Sequence, residues 1–144
     1  SANGVKVKMS RTPFLVYAWL TWRRVNQQEA LSLDKHVPNL EAATQFLDFC
    51  KEHIFTEDED YDNVLIAFQL DDTEHPTSPV SGMTKEWLQP HNSYIKKAFQ
   101  EALGLDLAQL YKVGRINNNT TVDGGQHHVS HYFLGIDATG ITLE

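Results

Sequence analysis

The alternation of apolar and polar residues at the start of the chain predicts strands. Residues 5–8 alternate with a period of two, which is typical of a strand with one buried face. Residues 14–22 are rich in aromatic and β-branched side chains, which favours a second strand. Thr12-Pro13 just before this run is also a fair helix start, since proline is common at the first helical position. We favour a hairpin of the two runs.

A helical pattern follows over residues 39–54. Asn39 is suited to cap the amino end of this helix. Its apolar residues recur at steps of three and four: Leu40, Ala43, Phe46, Leu47, Cys50 and Ile54. An acidic connection then leads into the apolar run 64–70, which predicts a central strand. Residues 71–81 contain two prolines and are expected to form a loop.

The second half of the chain mixes one main helix with strands. A helical turn is predicted from Thr84 to Pro90, followed by an amphipathic helix that Asn92 or Ser93 caps and that Gly104 ends. Residues 106–111 add one turn before a strand at 112–116, and 117–126 are expected to form a loop. Residues 129–136 and 141–143 are predicted as strands joined by a tight turn at 137–140.

These elements predict the α+β class, with an antiparallel or mixed sheet of about four to six strands packed with two main helices. The length of 144 residues fits a single domain. Within it, residues 1–38 would form an amino-terminal strand or hairpin extension, and residues 39–144 the α+β core.

Composition narrows the class of protein further. With 41% hydrophobic and 22% charged residues, the chain is expected to fold as a globular protein. No apolar run approaches the roughly 20 residues of a bilayer span, so no membrane partner is expected. The lone Cys50 excludes an internal disulfide and fits a reducing compartment, so we expect a cytoplasmic protein. The net charge of −7 argues against direct contact with nucleic acid.

The negative charge is concentrated in one segment. Residues 52–84 hold nine Asp or Glu and no Lys or Arg, whereas the rest of the chain has ten acids against twelve bases. Charge placed so unevenly favours a basic or cation-bearing protein partner. The alternative is an acidic segment that is solvated and has no partner.

Three histidines, His127, His128 and His131, invite a metal-site interpretation. In a strand, however, residues four apart are roughly 13 Å apart, too far to share an ion held at about 2 Å. Gly124-Gly125 and the apolar residues after them favour a strand. We therefore predict ordinary strand and loop histidines.

Nothing else in the sequence predicts catalysis. Cys50 lies on the apolar stripe of the first predicted helix, which indicates a buried, inert thiol. Ser130 and His131 are adjacent, so in a strand they point to opposite faces and form no triad. Asp58 and Asp60 lack the spacing of a calcium loop. We expect no catalytic residue, no cofactor and no metal site.

Trp87 is a candidate contact residue of a different kind. It follows a proline-containing loop and precedes Pro90, where a large ring is less easily part of the central core. Exposed tryptophan is a frequent interface anchor. The alternative is that the ring folds onto the neighbouring helix.

An ordered series of short motifs resembles a known family. His53-Ile-Phe55 is followed by the acidic stretch Glu57-Asp-Glu-Asp60, by Tyr61 and by the apolar run 64–68. Two later motifs keep their place, Trp87 twelve residues before Phe99-Gln100, and Tyr111-Lys-Val-Gly114 after the helix. In this order, residues 39–144 resemble the nuclease A inhibitor family, small acidic proteins that block a sugar-nonspecific endonuclease. The first 38 residues have no counterpart there, and residues 117–126 lengthen the final sheet region.

The resemblance implies a set of partner-binding residues: Glu57, Asp58, Glu59, Asp60, Trp87 and Glu144. Asp58 matches the position whose carboxylate reaches the catalytic metal of the nuclease, and Trp87 and Glu144 would add contacts. Clustered carboxylates on a rigid turn can occupy a basic cleft and an open metal position at once.

We therefore expect a non-catalytic acidic binding protein, an inhibitor or immunity protein of a basic metal-dependent nuclease. The alternative is a small hydrolase or ligand-binding domain whose pocket gathers Asp58, Asp123 and the histidines. A deep pocket that joins those residues would favour the alternative, and an exposed acidic ridge would favour the inhibitor.

Overall fold

The computed structural model of the protein describes residues 6–35, 37–74, 80, 82–122 and 125–134. These residues form five α-helices and three strands, so the α+β class is confirmed. The elements are α1 (Arg11–Val25), β1 (Leu31–Asp34), α2 (Leu40–Phe49) with a π-helical turn (Cys50–Ile54), α3 (Asp58–Glu74), α4 (Lys85–Leu103), α5 (Leu105–Tyr111), β2 (Val113–Val122) and β3 (Gly125–Leu134). The strands form one antiparallel sheet in the order β1-β3-β2. The described part of the chain thus has three strands, where four to six were predicted.

The chain folds into two compact units, each assembled from separated stretches. The first, which we call the basic unit for its composition, comprises residues 1–31, 89–116 and 131–144. The second, which we call the acidic unit, comprises residues 32–88 and 117–130.

The predicted amino-terminal hairpin is wrong. Residues 6–10 have no regular structure, and residues 14–22 lie within α1. Leu15 to Thr21 are all buried, and a helix that is apolar on every side is a core helix. Burial of the whole run, rather than the strand propensity of its residues, decides its structure.

The core of the basic unit is built on Tyr17 of α1. Its ring lies 5.0 Å from the ring of Phe99, which in turn stacks on Tyr111 at 5.4 Å. The Tyr17 hydroxyl donates to the carbonyl oxygen of Tyr111 at 2.9 Å. Burial, and then the neighbouring Tyr111, raise the pKa of Tyr17 above its usual range. This core joins α1, α4 and α5.

The helix predicted over residues 39–54 is confirmed, and Asn39 caps it. The Asn39 Oδ1 accepts from the backbone N–H of Ala42 at 2.9 Å. The last turn, Cys50–Ile54, widens into a π-helix, and the N–H of Phe55 closes it on the Cys50 carbonyl at 2.7 Å.

The strand predicted over residues 64–70 is wrong, because this run is the middle of α3. Val64 and Phe68 are buried, whereas Ile66 is 52% exposed. This burial has the four-residue step of a helix and not the two-residue step of a strand. The helix also takes in Asp71–Glu74, the start of the predicted loop, and residues 75–79 lie outside the described residues.

The two helical segments predicted around Pro90 form one helix, α4. It begins after Thr84, whose hydroxyl oxygen accepts from the N–H of Trp87 at 3.3 Å, so neither Asn92 nor Ser93 is a cap. Gly104 ends the helix with a φ of +83°, as predicted.

The carboxyl-terminal hairpin is longer than predicted. Residues 117–122 and 125–126, expected as loop, belong to β2 and β3. The strand at 112–116 is confirmed as the start of β2, and the strand from residue 129 is confirmed as far as Leu134. β1 was not predicted. The predicted turn at 137–140, the strand at 141–143 and Glu144 lie outside the described residues.

Candidate functional site

The four consecutive acids Glu57, Asp58, Glu59 and Asp60, which we call the acidic turn, stand at the amino end of α3. A connection of only three residues, 55–57, separates α3 from the preceding π-helical turn. All four side chains are exposed, as is Asp62 one turn later. The carboxylates are therefore available to a partner in solution.

Aromatic packing holds α3 in place beneath the acidic turn. The ring of Phe68 lies 6.0 Å from Phe46 of α2 and 6.4 Å from Trp87. Nearer to the turn, the Lys51 ammonium lies 5.6 Å from the centre of the Tyr61 ring. Because the helix is anchored by buried rings, the carboxylates at its end are presented on a rigid support.

The carboxylates of the acidic turn form no ion pair with the described residues. Among the described residues, no Lys, Arg or His nitrogen lies within 4.0 Å of these carboxylates, and the ion pair found there joins His53 and Glu52. Asp58 and Asp62 are four residues apart on one helical face, an arrangement that costs about 0.2–0.5 kcal/mol for like charges. The acidic turn therefore carries more negative charge than the stabilisation of α3 requires.

Acids at the first turn of a helix do have a structural role. Asp58, Glu59 and Asp60 lie in the first turn of α3, where each carboxylate stabilises the helix dipole by about 0.3–1 kcal/mol. The same reason does not apply to Asp71, Asp72 and Glu74, which are at the carboxyl end of α3, where negative charge is unfavourable. Stabilisation of the helix thus explains part of the acidic composition and leaves the rest unexplained.

Trp87 is a core residue, which corrects its interpretation as an exposed anchor. Its side chain is 8% exposed, and its ring lies 5.7 Å from that of Phe46 in an edge-on contact. Thr84, three residues earlier, caps the start of α4 by accepting from the Trp87 backbone N–H. A partner could not reach this ring without unfolding the acidic unit locally.

The remaining predicted residues are not brought together at the acidic turn. Asp123 and Glu144 lie outside the described residues, as do the side chains of His127 and His128. His131 is half-buried on β3, and the backbone of residues 127–131 is a strand as predicted. In the described part of the chain, no three His, Cys, Asp or Glu side chains are arranged to hold a metal ion.

Cys50 is not placed for nucleophilic chemistry. The side chain is fully buried in the acidic unit, and burial raises the pKa of the thiol to about 12. A thiol that holds its proton at neutral pH is a poor nucleophile. The predicted buried position is confirmed.

The two units differ in net charge, which the order of residues along the chain does not show. The acidic unit carries three Lys or Arg against fourteen Asp or Glu, and the basic unit carries nine against five. The net charge of −7 is therefore the sum of −11 and +4 on two separate units. The scarcity of acids between residues 89 and 116 was the available signal, but the run is too short to suggest a unit by itself.

No family model, no curated protein and no solved structure matches this chain. The resemblance of residues 39–144 to the nuclease A inhibitor family therefore stays a prediction. None of the described helices combines the length and the apolar character that a membrane span requires.

Proposed function

We propose that the protein is a non-catalytic binding protein whose acidic turn docks on a basic protein partner, and that this partner is a metal-dependent nuclease which it inhibits. The observation that carries the proposal is the set of four consecutive exposed carboxylates at the end of a helix anchored by buried rings, with no ion pair to any described base.

Electrostatics gives the proposed contact its speed and its selectivity. An acidic unit with a net charge of −11 attracts a basic protein over a distance of about one Debye length, roughly 8–10 Å at physiological salt. Complementary charge raises the association rate and disfavours acidic competitors.

A nuclease is the class of partner that uses both properties of the turn. Its cleft must be basic to hold phosphates, and its divalent ion must keep a position open for an oxygen ligand. A carboxylate oxygen is a ligand that such ions accept readily. Asp58, the first residue of α3, has the exposed carboxylate that the family resemblance matches to this role. Occupying the cleft and the ion together excludes the substrate.

The test compares two acids with the same local setting. Asp58→Asn removes a carboxylate from the acidic turn, and Glu41→Gln removes one from the first turn of α2, where it is also exposed. Each protein is titrated into metal-dependent nucleases from its source, with cleavage of plasmid DNA as the readout. Asp58→Asn should weaken inhibition by about 2–5 kcal/mol if the carboxylate is desolvated on a metal or an Arg. Glu41→Gln should change it by less than about 0.5 kcal/mol.

Two results would contradict the proposal. One is that an excess of the wild-type protein leaves every candidate nuclease fully active. The other is that the two variants inhibit equally well, which would show that the acidic turn is not the contact. Circular dichroism of both variants checks that α3 and α2 remain folded.

A further inference from the structure

A cleft of about 600 Å³ opens within the basic unit, and it is lined by α4 and by the paired strands β2 and β3. Its size falls within the roughly 300–1,000 Å³ that is usual for small-molecule sites. Three of its lining residues are cationic: Lys96 on α4, Lys112 between α5 and β2, and Arg115 in β2. Among the described residues that line it, none is Asp or Glu.

None of the described carboxylates neutralises these three cations. In the part of the chain that the structure describes, no carboxylate lies within 4.0 Å of Lys96, Lys112 or Arg115. All three side chains are exposed, and the unit that carries them has a net charge of +4. Positive groups gathered around a concave surface focus the field there and favour an anionic ligand. Guanidinium and ammonium groups are the usual partners of phosphate.

An aromatic ring lies beside these cations. Phe133 is 37% exposed and lines the cleft, directly across the hairpin from Gly114. A β-carbon at position 114 would lie 2.6 Å from the Phe133 ring, so only glycine lets the ring rest on the strand. The close packing fixes the ring, and its exposed surface can stack on a flat apolar group of a ligand.

Polar side chains complete the wall on the α4 side. Gln89, Asn92 and Ser93 follow one another along a single turn of the helix at the edge of the cleft. The amide oxygen of Asn92 is buried and accepts no hydrogen bond from the described residues. Because that oxygen has no accessible surface, the exposed Ser93 hydroxyl and the half-buried Gln89 amide are the groups that a ligand can reach.

We propose that this cleft binds a small organic phosphate of nucleotide size. Lys96, Lys112 and Arg115 hold the phosphate groups, and Phe133 stacks on the flat ring of the ligand. Gln89 and Ser93 bond to the polar edge of the ligand. The inference concerns the basic unit alone and does not depend on the acidic turn or on a nuclease partner.

Binding is measured by isothermal titration calorimetry of the full chain at low salt, with ADP, inorganic pyrophosphate and adenosine as separate ligands. ADP should bind one to one, pyrophosphate more weakly, and adenosine most weakly. Arg115→Gln and Lys96→Gln should each weaken ADP binding about tenfold, the loss expected for one charge-assisted hydrogen bond. The matched control is Lys97→Gln, an exposed neighbour of Lys96 that does not line the cleft, with a change below about twofold.

The variant Phe133→Leu tests the contribution of stacking separately from that of the phosphate contacts. It should reduce ADP binding several-fold and leave pyrophosphate binding unchanged, because only ADP has a flat group to stack. The proposal fails if ADP does not bind, or if Lys97→Gln weakens binding as much as Lys96→Gln. It also fails if pyrophosphate binds as tightly as ADP. Tighter binding of a single-stranded oligonucleotide than of ADP would instead identify a nucleic-acid surface and overturn the small-molecule assignment.

Discussion

At the scale of single residues, Trp87 shows how position in the fold decides the role of a side chain. The indole is enclosed by Phe46 and Phe68, and the three rings form the aromatic centre of the acidic unit. From sequence alone, a tryptophan near prolines could be an exposed anchor or a ring folded onto a neighbouring helix, and the buried ring agrees with the second. The Thr84 hydroxyl oxygen accepts from the Trp87 backbone N–H and caps the start of α4, and the ring is buried in the core.

Replacement of Trp87 therefore tests stability rather than binding. Trp87→Ala should lower the free energy of unfolding by about 3–5 kcal/mol, since it leaves a large cavity between two rings. Urea denaturation followed by circular dichroism measures the change. The control is Tyr94→Ala, at a site 60% exposed on the same helix, which should stay within about 0.5 kcal/mol of the wild type. A similar loss in both variants would contradict the buried position of Trp87.

Because the Cys50 thiol is buried, the stability of the protein should decrease at alkaline pH. Burial raises the pKa of its thiol to about 12, whereas a thiol in the unfolded chain ionises near pH 8.5. The unfolded state therefore releases its proton first, and the stabilisation present below pH 8.5 declines as the pH rises towards 12.

Between pH 8 and pH 10, the wild type should lose about 1–2 kcal/mol through this group, and Cys50→Ala should lose less. Urea denaturation of both proteins at the two pH values measures the difference. This range ends at the ordinary pKa of tyrosine, so Tyr17 contributes little. An equal loss in the two proteins would show that the thiol is not the cause.

At the scale of elements, local capping was predicted well and short apolar runs were not. The cap at Asn39 and the glycine that ends α4 are determined by residues within a few positions, so the sequence contains the necessary signals. The run 64–70 and the run 14–22 are apolar on several sides, and their structure depends on what packs against them. In α3 the acids of the first turn, followed by Tyr61, Val64 and Phe68 at helical steps, were the better guide.

The two candidate sites also differ in whether the sequence alone could predict them. The exposure of the acidic turn could be predicted because unpaired carboxylates are almost never buried. The cleft of the basic unit could not, because α4 and β2 meet only after folding and their cations are separated in the chain by residues 97–111.

Asn39 holds together three elements of the acidic unit, which makes it a sensitive test of their packing. Its side chain caps α2 and donates to the Ser32 carbonyl at 3.2 Å, and its backbone pairs with Met83 at 2.8 and 3.0 Å. Asn39→Ala should cost about 1–3 kcal/mol, through loss of the cap and of the second hydrogen bond. Asn39→Asp keeps the capping oxygen but not the donor to Ser32, so it should cost less. Urea denaturation ranks the variants, and equal costs would show that the cap contributes nothing.

At the scale of the whole molecule, opposite net charge on the two units is the main result of folding this sequence. Nine bases against five acids in one unit, and three against fourteen in the other, give the chain a basic cleft and an acidic turn. The two proposals therefore predict different ligands for different units, a basic protein for one and a small phosphate for the other. Loss of either activity by mutation should leave the other unchanged.

The acidic unit should also make the protein more stable in salt. Its net charge of −11 disfavours the folded state through self-repulsion, and added ions screen that repulsion. The free energy of unfolding in urea should thus rise by about 1 kcal/mol between 10 and 150 mM NaCl. The double variant Asp58→Asn, Asp62→Asn should show a smaller rise, because two of the repelling charges are gone. A fall in stability with salt would mean that attractive charge pairs dominate, and it would argue against an uncompensated acidic turn.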